Sequence, residues 1–315
     1  MEKRAEKKIV VFYWNKVKKE TPEAFLEFLL EYRRPYFGAI DKFAEVIIVI
    51  GEGNYKGGLG FGAHYSYQNG EFIYSTKSLV ADVIFDRTMG FKFPVIDPVL
   101  DKQVINNAHF KNIVRNKFTF AKTYPEYSPS TVHCENRENL MIALGPYPKG
   151  STLVVKPRTG RRGEGVYFGT KDELLSMEHR YPVILQEFVE TLGGFMYPDR
   201  RHDIRIVILN GKIAHAFARF TRDDTYRANI SQGGDYLELP YKEIPLKLRE
   251  IAEKIAKDIK SKYENPFYSI DFGIAKEGIY IFEMNNRIGF PEEGKKNFPL
   301  FLAEFTRLLR EKLKL

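Results

Sequence analysis

The sequence predicts an α/β (α+β) protein of more than one domain, and three stretches carry that prediction. Residues 7–51 read as strand, helix, strand. Residues 152–168 read as strand, glycine-rich loop, strand. Tyr268–Arg287 reads as two strands on a short turn, with acids at facing positions. At 315 residues the chain can form one large domain or two to three small ones. Its 43% hydrophobic and 14% aromatic content can fill substantial cores.

Taken in order, residues 7–14, KKIVVFYW, make a buried first strand. Thr21-Pro22-Glu23 opens a helix, with a hydroxyl cap and then proline at the first helical position. Phe25, Leu26, Phe28, Leu29 and Leu30 give that helix its core side. Glu45–Gly51 is a second strand whose unbroken apolar run is typical of a parallel sheet. Residues 51–70 are rich in Gly, Asn and Tyr and are expected to be loop. Leu79–Phe85 is a third strand, ending at Asp86-Arg87. This beginning predicts a small Rossmann-like domain with its ligand edge at the strand C-termini. Gly51-Glu52-Gly53 has no third glycine opening a helix, so a tight turn is expected there.

Asp97-Pro98 marks a linker, Asn106–Tyr124 a helix, and Tyr124–Thr131, with its two prolines, a connection. Thr152–Lys156 is a strand that ends in lysine and enters Pro157-Arg158-Thr159-Gly160-Arg161-Arg162-Gly163-Glu164-Gly165, after which Val166–Phe168 is a strand again. Asp172–Met177 reads as a short helix capped by Asp172, and Pro182–Val189 as a strand. Ile204–Leu209 and Lys212–Phe220 form a hairpin on Asn210-Gly211, a strong turn signal. That hairpin carries Asp203, Arg205 and Arg219, and a polar loop with Arg227, Asn229, Gly233 and Gly234 follows. Pro245–Tyr263 is amphipathic, with Leu248, Ile251, Ala252, Ile255, Ala256 and Ile259 in one stripe. A last helix covers about Leu300–Leu313.

The Tyr268–Arg287 hairpin holds the chemistry. A turn at Lys276-Glu277-Gly278, with positive φ at the glycine, pairs residue 274 with 280 and 272 with 282. Asp271 then faces Glu283, and the strand period puts Asn285 on the same side. Facing carboxylates repel unless a cation lies between them, and this oxygen set suits Mg²⁺. Taken alone, the hairpin is equally compatible with solvated acids on a surface. Asp271-Phe272-Gly273 spells the DFG of protein kinases, but no HRD-type loop precedes it. The loop at 157–165 is not a Walker A motif, because no Gly-Lys-Ser/Thr leads into a helix. Its glycines and arginines, with lysine on the entering strand, favour a phosphate-wrapping loop over a plain flexible hairpin.

Composition narrows the classes. Lysine and arginine exceed the acids by 49 − 41 = +8, which favours anionic partners. The single cysteine, Cys134, allows no intrachain disulfide and no thiolate metal site. This fits a reducing cytosol, so a cytoplasmic location is expected. No apolar run approaches the ~18 residues of a membrane span, and the charged N-terminus enters a strand directly, which argues against a signal peptide. The Lys16–Lys19 and Lys295-Lys296 runs are short and read as solvated faces, which argues against nucleic acid.

The ordered set, lysine-glycine loop, Gln-Glu-Phe-Val, Asp-Ile-Arg, Arg-x-Asn before Gly-Gly, and acid with Glu-x-Asn, resembles the ATP-grasp superfamily. It is most similar to the RimK-type glutamate ligases and their glutathione-synthetase-like relatives, over about Val83–Gly289. The resemblance implies an N-terminal pre-ATP-grasp domain at 1–105 and an ATP-grasp domain at 106–315. Two α+β subdomains of the latter clasp ATP, with the lid at about 120–188. Lys117, in Arg115-Asn116-Lys117 where the family has Arg-Asp-Lys, and Lys156 inherit contacts to the ATP phosphates. Gly160, Gly163 and Gly165 belong to the mobile loop over the triphosphate. Gln186, Glu187, Phe188 and Val189 correspond to the adenine hinge, and Asp203 to a nucleotide contact. Arg219, with Arg205, stands near the reacting phosphate, and Arg227 and Asn229 near the phosphates and metal. Asp271, Glu283 and Asn285 coincide with the ligands of Mg²⁺ (or Mn²⁺). Asp82 and Arg87 resemble a short motif of the leading domain. Two stretches depart from the family pattern: Glu190–His202 is longer, and Asn286-Arg287-Ile288-Gly289-Phe290 replaces small residues.

The implied activity is ATP-dependent joining of a carboxylate to an amine through an acyl phosphate, releasing ADP and phosphate. Its substrates are small-molecule or peptide carboxylates and amines, expected to be anionic. Homo-oligomerisation stays open. Two alternatives remain, a small-molecule kinase of inositol phosphate type on the same fold, and a nucleotide-dependent binding protein.

Overall fold

The computed structural model describes residues 7–17, 19–88, 102–160, 164–221, 235–264 and 266–315. The expected linker at Asp97-Pro98 lies outside them. The described chain is α+β, built on several sheets. Strands β1 (Lys8–Trp14) and β2 (Ala44–Ile50) run parallel and are joined by helix α1 (Pro22–Asp41). Thr21 caps α1, its Oγ1 accepting from the Ala24 N–H at 3.2 Å.

The expected loop at 51–70 is instead largely β-structure. It holds β3 (Tyr55–Gly57), β4 (Gly60–Phe61) and β5 (His64–Gln68), and β6 (Glu71–Ser75) follows. The β5–β6 hairpin turns on Asn69 and Gly70, at φ 52° and 90°, as a two-residue turn of primed type requires. Cross-strand pairs Tyr65–Tyr74 and Tyr67–Phe72, with ring centroids 5.1 and 5.6 Å apart, outweigh the glycine content.

The expected third strand is split into β7 (Leu79–Val80) and β8 (Val83–Asp86). Between them Ala81 N–H donates to the Leu59 carbonyl, and the Asp82 carboxylate accepts from the Ile9 N–H at 2.8 Å. The chain therefore crosses from a three-stranded sheet, β3-β4-β7, into a six-stranded one. The latter runs β6-β5-β2-β1-β8-β9, with β9 at Val104–Ile105.

The expected single helix at 106–124 is also two, α2 (Ala108–Arg115) and α3 (Lys117–Thr123). Asn116 breaks the helix at φ −91°, ψ 98°, and its Oδ1 accepts from the Phe118 and Thr119 N–H groups. The Asn116 departure from the family's Asp therefore retains a capping residue.

A four-stranded antiparallel sheet follows, in order β10-β13-β11-β12. It comprises β10 (Thr131–Cys134), β11 (Leu153–Pro157), β12 (Tyr167–Gly169) and β13 (Val183–Glu187). Helices α4 (Arg137–Leu144) and α5 (Lys171–Ser176) accompany it. Its own core gathers Leu140, Leu144, Leu153, Val155 and Leu185 around the buried Cys134. The cap of α5 is Thr170 rather than Asp172, because Glu173 returns a carboxylate to the Thr170 N–H at 2.7 Å.

The last sheet, in order β16-β15-β14-β17-β18, is the scaffold of the site. It holds β14 (His202–Leu209), β15 (Lys212–Phe220), β16 (Asp235–Glu238), β17 (Phe267–Ile274) and β18 (Ile279–Asn285). Helix α6 (Leu246–Lys262) lays its apolar stripe against Ile204, Ile206, Ala218, Ile270 and Phe272. Helix α7 (Phe298–Leu313) joins Phe301, Phe305 and Leu308 to Phe12, Phe85 and Phe267, so the core of the first sheet continues into the last.

The β17–β18 register corrects the expected pairings. Ile274 pairs with Ile279 and Phe272 with Ile281, each one residue tighter than expected, because the turn closes between Ala275 and Gly278. A bulge between Asp271 and Phe272 then restores the Asp271–Glu283 pairing. Gly278 is not among the positive-φ glycines. The small residue needed here is Gly273, where a Cβ would lie 2.2 Å from the Phe282 ring.

Candidate active site

The four- and five-stranded sheets face each other across a cleft of about 1100 Å³, part of it open to solvent. Lys117, Lys156, Gly160, Gln186, Glu187, Phe188, Val189, Asp203, Arg219, Asp271 and Glu283 all line it. Arg205 and Asn285 stand beside it and contact its carboxylates. Gly165 sits in the left-handed region at φ 69°, where the glycine loop turns into β12. Gly163, Arg227, Asn229, Gly233 and Gly234 lie outside the described residues.

Strand alternation builds the charged centre. Asp203, Arg205, Arg219, Asp271, Glu283 and Asn285 occupy one parity on four neighbouring strands, so their side chains share one face. Arg205 grips Asp271 with Nε and Nη2, each at 2.6 Å. Arg219 grips Asp203 with Nε and Nη2, and its Nη2 also reaches Asp271 Oδ2 at 2.9 Å. Burial pushes the Asp271 carboxyl up, but Arg205 and then Arg219 outweigh it and hold it at about 2. Asp203 has Arg219 as its closest cation, and burial pushes it upward against that guanidinium, with the Asp271 charge adding to the rise. Burial lowers Arg219, and the Asp203 and Asp271 charges more than reverse this.

Two lysines close the other side. Lys156 Nζ donates to the Phe282 carbonyl at 3.1 Å, tying β11 to β18. Burial first, and the neighbouring Lys117 charge second, lower its pKa to about 8, against the pull of Glu283 and Asp271. Lys117, the first residue of α3, donates from Nζ to the Gly160 carbonyl at 3.1 Å and lies 3.7 Å from Glu283 Oε2. Its backbone N–H donates to the Arg158 carbonyl, so both ends of the lysine hold the glycine loop.

The donor chemistry fits a hard divalent cation. Asn285 Nδ2 donates to Glu283 Oε1 at 3.0 Å and lies 3.5 Å from Asp271 Oδ2, so all three side chains converge. A half-turn of the amide presents its oxygen to the same point. Among the described residues no three His, Cys, Asp or Glu side chains form a metal cluster. A cation here would therefore take two carboxylates and an amide, with further oxygens from substrate.

Of the predicted hinge residues, Gln186 spends its side-chain amide on Thr131 Oγ1, at 2.6 Å. Sequence reasoning missed other cleft residues. Thr191, Arg201 and His202, from the stretch longer than the family pattern, also line the cleft. His202 accepts from the Ile274 N–H through Nε2 at 3.3 Å, and burial lowers its pKa to about 4, so it stays neutral. Gly194 anchors the same stretch, since a Cβ there would lie 1.7 Å from the Ile274 carbonyl oxygen. The usable signal was the length of that stretch, which departs from the family pattern.

Comparison with known proteins gives the family and the fold. Residues 129–297, more than half of the chain, match the RimK-like ATP-grasp domain. The chain belongs to the RimK-like ATP-grasp family and has the fold of its carboxylate–amine ligases. It is similar to human N-acetylaspartylglutamate synthase A, with 27% identity over 149 residues, covering 45% of this chain and 34% of that protein. Glutathione synthetase of Thermosynechococcus vestitus is 29% identical over 178 residues, 54% of this chain and 50% of that one. The chain thus spans a third to a half of these curated relatives. In three dimensions it is similar to D-alanyl-alanine synthetase A from Vibrio cholerae, with a TM-score of 0.60 at 16% identity, covering 98% of both chains. No helix among the described residues is long and apolar enough to cross a membrane.

Proposed function

We propose that the chain joins a carboxylate to an amine in two steps at the Asp271–Glu283 centre. In the first, a carboxylate oxygen attacks the γ-phosphorus of ATP and ADP leaves. In the second, the amine attacks the acyl carbon, phosphate leaves, and a proton passes to solvent. The carrying observation is the convergence of Arg205, Arg219, Lys117 and Lys156 on two facing carboxylates in one cleft. Phosphoryl transfer needs positioned charge rather than covalent help from the protein, and this arrangement supplies it.

In this reading Lys117 and Lys156 bind the phosphates, and the loop through Gly160, Gly163 and Gly165 covers them and excludes water. Gln186–Val189 hold the base, and Asp203 orients Arg219. Arg219 and Arg205 stabilise the transferring phosphoryl group and then the oxyanion at the acyl carbon. Arg227 and Asn229 contribute from their loop. Asp271, Glu283 and Asn285 hold Mg²⁺ or Mn²⁺, which when bound supplies charge neutralisation at the phosphates. Residues 1–105 serve as a Rossmann-like pre-ATP-grasp domain and 106–315 as the ATP-grasp domain, with a lid at about 120–188.

The test is ADP release with Mg²⁺-ATP over pools of amino acids, small carboxylates and inositol phosphates, each hit followed by mass spectrometry. A product lighter than its two substrates by one water is expected. A product heavier than one substrate by a phosphoryl group makes the chain a kinase and overturns the reading.

A further inference from the structure

A second cavity opens beyond Arg205, on the same face of the five-stranded sheet. It encloses about 720 Å³ with its mouth, and its walls include Arg205, His215, Phe217, Tyr236 and Phe290. Arg205 belongs to both regions: it lines this cavity and grips Asp271 of the charged centre. A group bound here therefore lies next to the proposed phosphoryl-transfer site.

Three rings, Phe217, Tyr236 and Phe290, stand in walls that Ile288, Gly289 and Pro291 continue. Phe217 stands 4.8 Å from Tyr236 and 5.1 Å from His215, centroid to centroid. Among the described residues, the charged side chains lining the cavity are Arg205, Glu292 and Lys295. Arg205 is engaged by Asp271, and Glu292 and Lys295 at the mouth have opposite signs. Tyr236 keeps its proton, since burial and then the Glu238 charge push its pKa up. His215 is only 4% exposed, and its Nδ1 has no hydrogen-bond partner. Burial lowers its pKa to about 4, so it is neutral near pH 7. A buried ring nitrogen without a partner costs free energy that a bound polar group can recover.

We infer that this cavity receives the side chain of the carboxylate substrate, and that the side chain is aromatic, with a neutral hydrogen-bonding group directed at His215. The inference rests on the ligase reading above and sharpens its substrate class. It departs from the anionic substrate that the net charge of the chain suggested, because, of the two basic residues lining this cavity, Arg205 is held by Asp271 and Lys295 shares the lining with Glu292. Rings in the wall select shape, and the His215 imidazole among them selects chemistry.

The experiment uses the full chain saturated with Mg²⁺ and a non-hydrolysable ATP analogue. Calorimetry reads the affinity for L-tyrosine, L-phenylalanine and L-glutamate. Expected is binding of both aromatic amino acids at least about tenfold tighter than L-glutamate, with L-tyrosine ahead of L-phenylalanine. Tyr236→Ala, at an exposed position, should weaken both aromatics by about tenfold while retaining the affinity for the ATP analogue. His215→Leu should remove the preference for L-tyrosine over L-phenylalanine, which loss of packing alone would not do. Equal or tighter binding of L-glutamate, absence of aromatic binding, or unchanged affinities in Tyr236→Ala overturns the inference.

Hydroxylamine trapping with Mg²⁺-ATP separates the two claims, because it converts an acyl phosphate to a hydroxamate and phosphate. Aromatic binding without any hydroxamate leaves the pocket standing and sinks the ligase reading. Hydroxamate from L-glutamate alone does the reverse.

Discussion

The two faces of the five-stranded sheet are made from the same strands and obey opposite physics. On β17, Ile270 and Phe272 point to α6, whereas Asp271 points to the cleft. On β15, Ala216, Ala218 and Phe220 join the α6 core, whereas His215, Phe217 and Arg219 line the cavities. The first face gains stability from buried apolar area. The second face carries buried charge, which costs several kcal/mol per ion unless the partners are well placed. Asp271 meets that condition with two arginines. Parity along a strand therefore separates residues that hold the fold from residues that are proposed to do chemistry, and substitutions of adjacent residues should give different phenotypes.

The largest contrast is expected between Asp271 and its neighbour. Asp271→Asn should lower Mg²⁺-ATP turnover by roughly 10³-fold or more, read by coupled ADP release, and Glu283→Gln should act in the same direction. The far-UV circular dichroism of both should match wild type. Full turnover in either variant would break the proposed division between the faces. Ile270→Ala, one residue away, should instead cost about 2–5 kcal/mol in urea unfolding and leave the ATP affinity of the folded protein unchanged.

A smaller effect is expected from Lys156. Replacing it with methionine keeps the stem and removes the charge, so ATP affinity by calorimetry should fall by about tenfold. Unchanged affinity would remove the phosphate role of that strand. The smallest effect is pH dependence. Lys156 titrates at about 8, below the usual lysine range, so it is charged at pH 7 and loses its proton as pH rises through 8. ATP affinity should therefore fall between pH 7 and pH 9, by less than about tenfold in all. Lys156→Met should flatten that profile.

Much of the fold was legible because its signals are local. The Asn210-Gly211 turn, the α6 stripe and the Thr21-Pro22 helix start depend on neighbours in sequence. The Asp271–Glu283 pairing was also reached, although two deviations cancelled: the turn is one residue tighter, and a bulge restores the register. The errors lie where tertiary contacts decide. Tyr65 and Tyr67 make strand out of glycine-rich sequence only because Phe72 and Tyr74 face them. The break at Ala81-Asp82 is set by Leu59 and Ile9, far away in the chain. For the candidate site, motif order brought Lys117, Lys156, Asp203, Arg219 and Asp271 together before any coordinates. His215, Tyr236 and Arg201 belong to no motif, and only the folded sheet shows what they border.

The central claim is an acyl phosphate formed at the Asp271–Glu283 centre, and the position of an isotope tests it most directly. A carboxylate substrate labelled with heavy oxygen is turned over with Mg²⁺-ATP and amine, and the released phosphate is weighed. The account predicts one heavy oxygen in the phosphate, because the carboxylate oxygen that attacks phosphorus leaves with it. Unlabelled phosphate, or a phosphoryl group retained on an alcohol product, would contradict it.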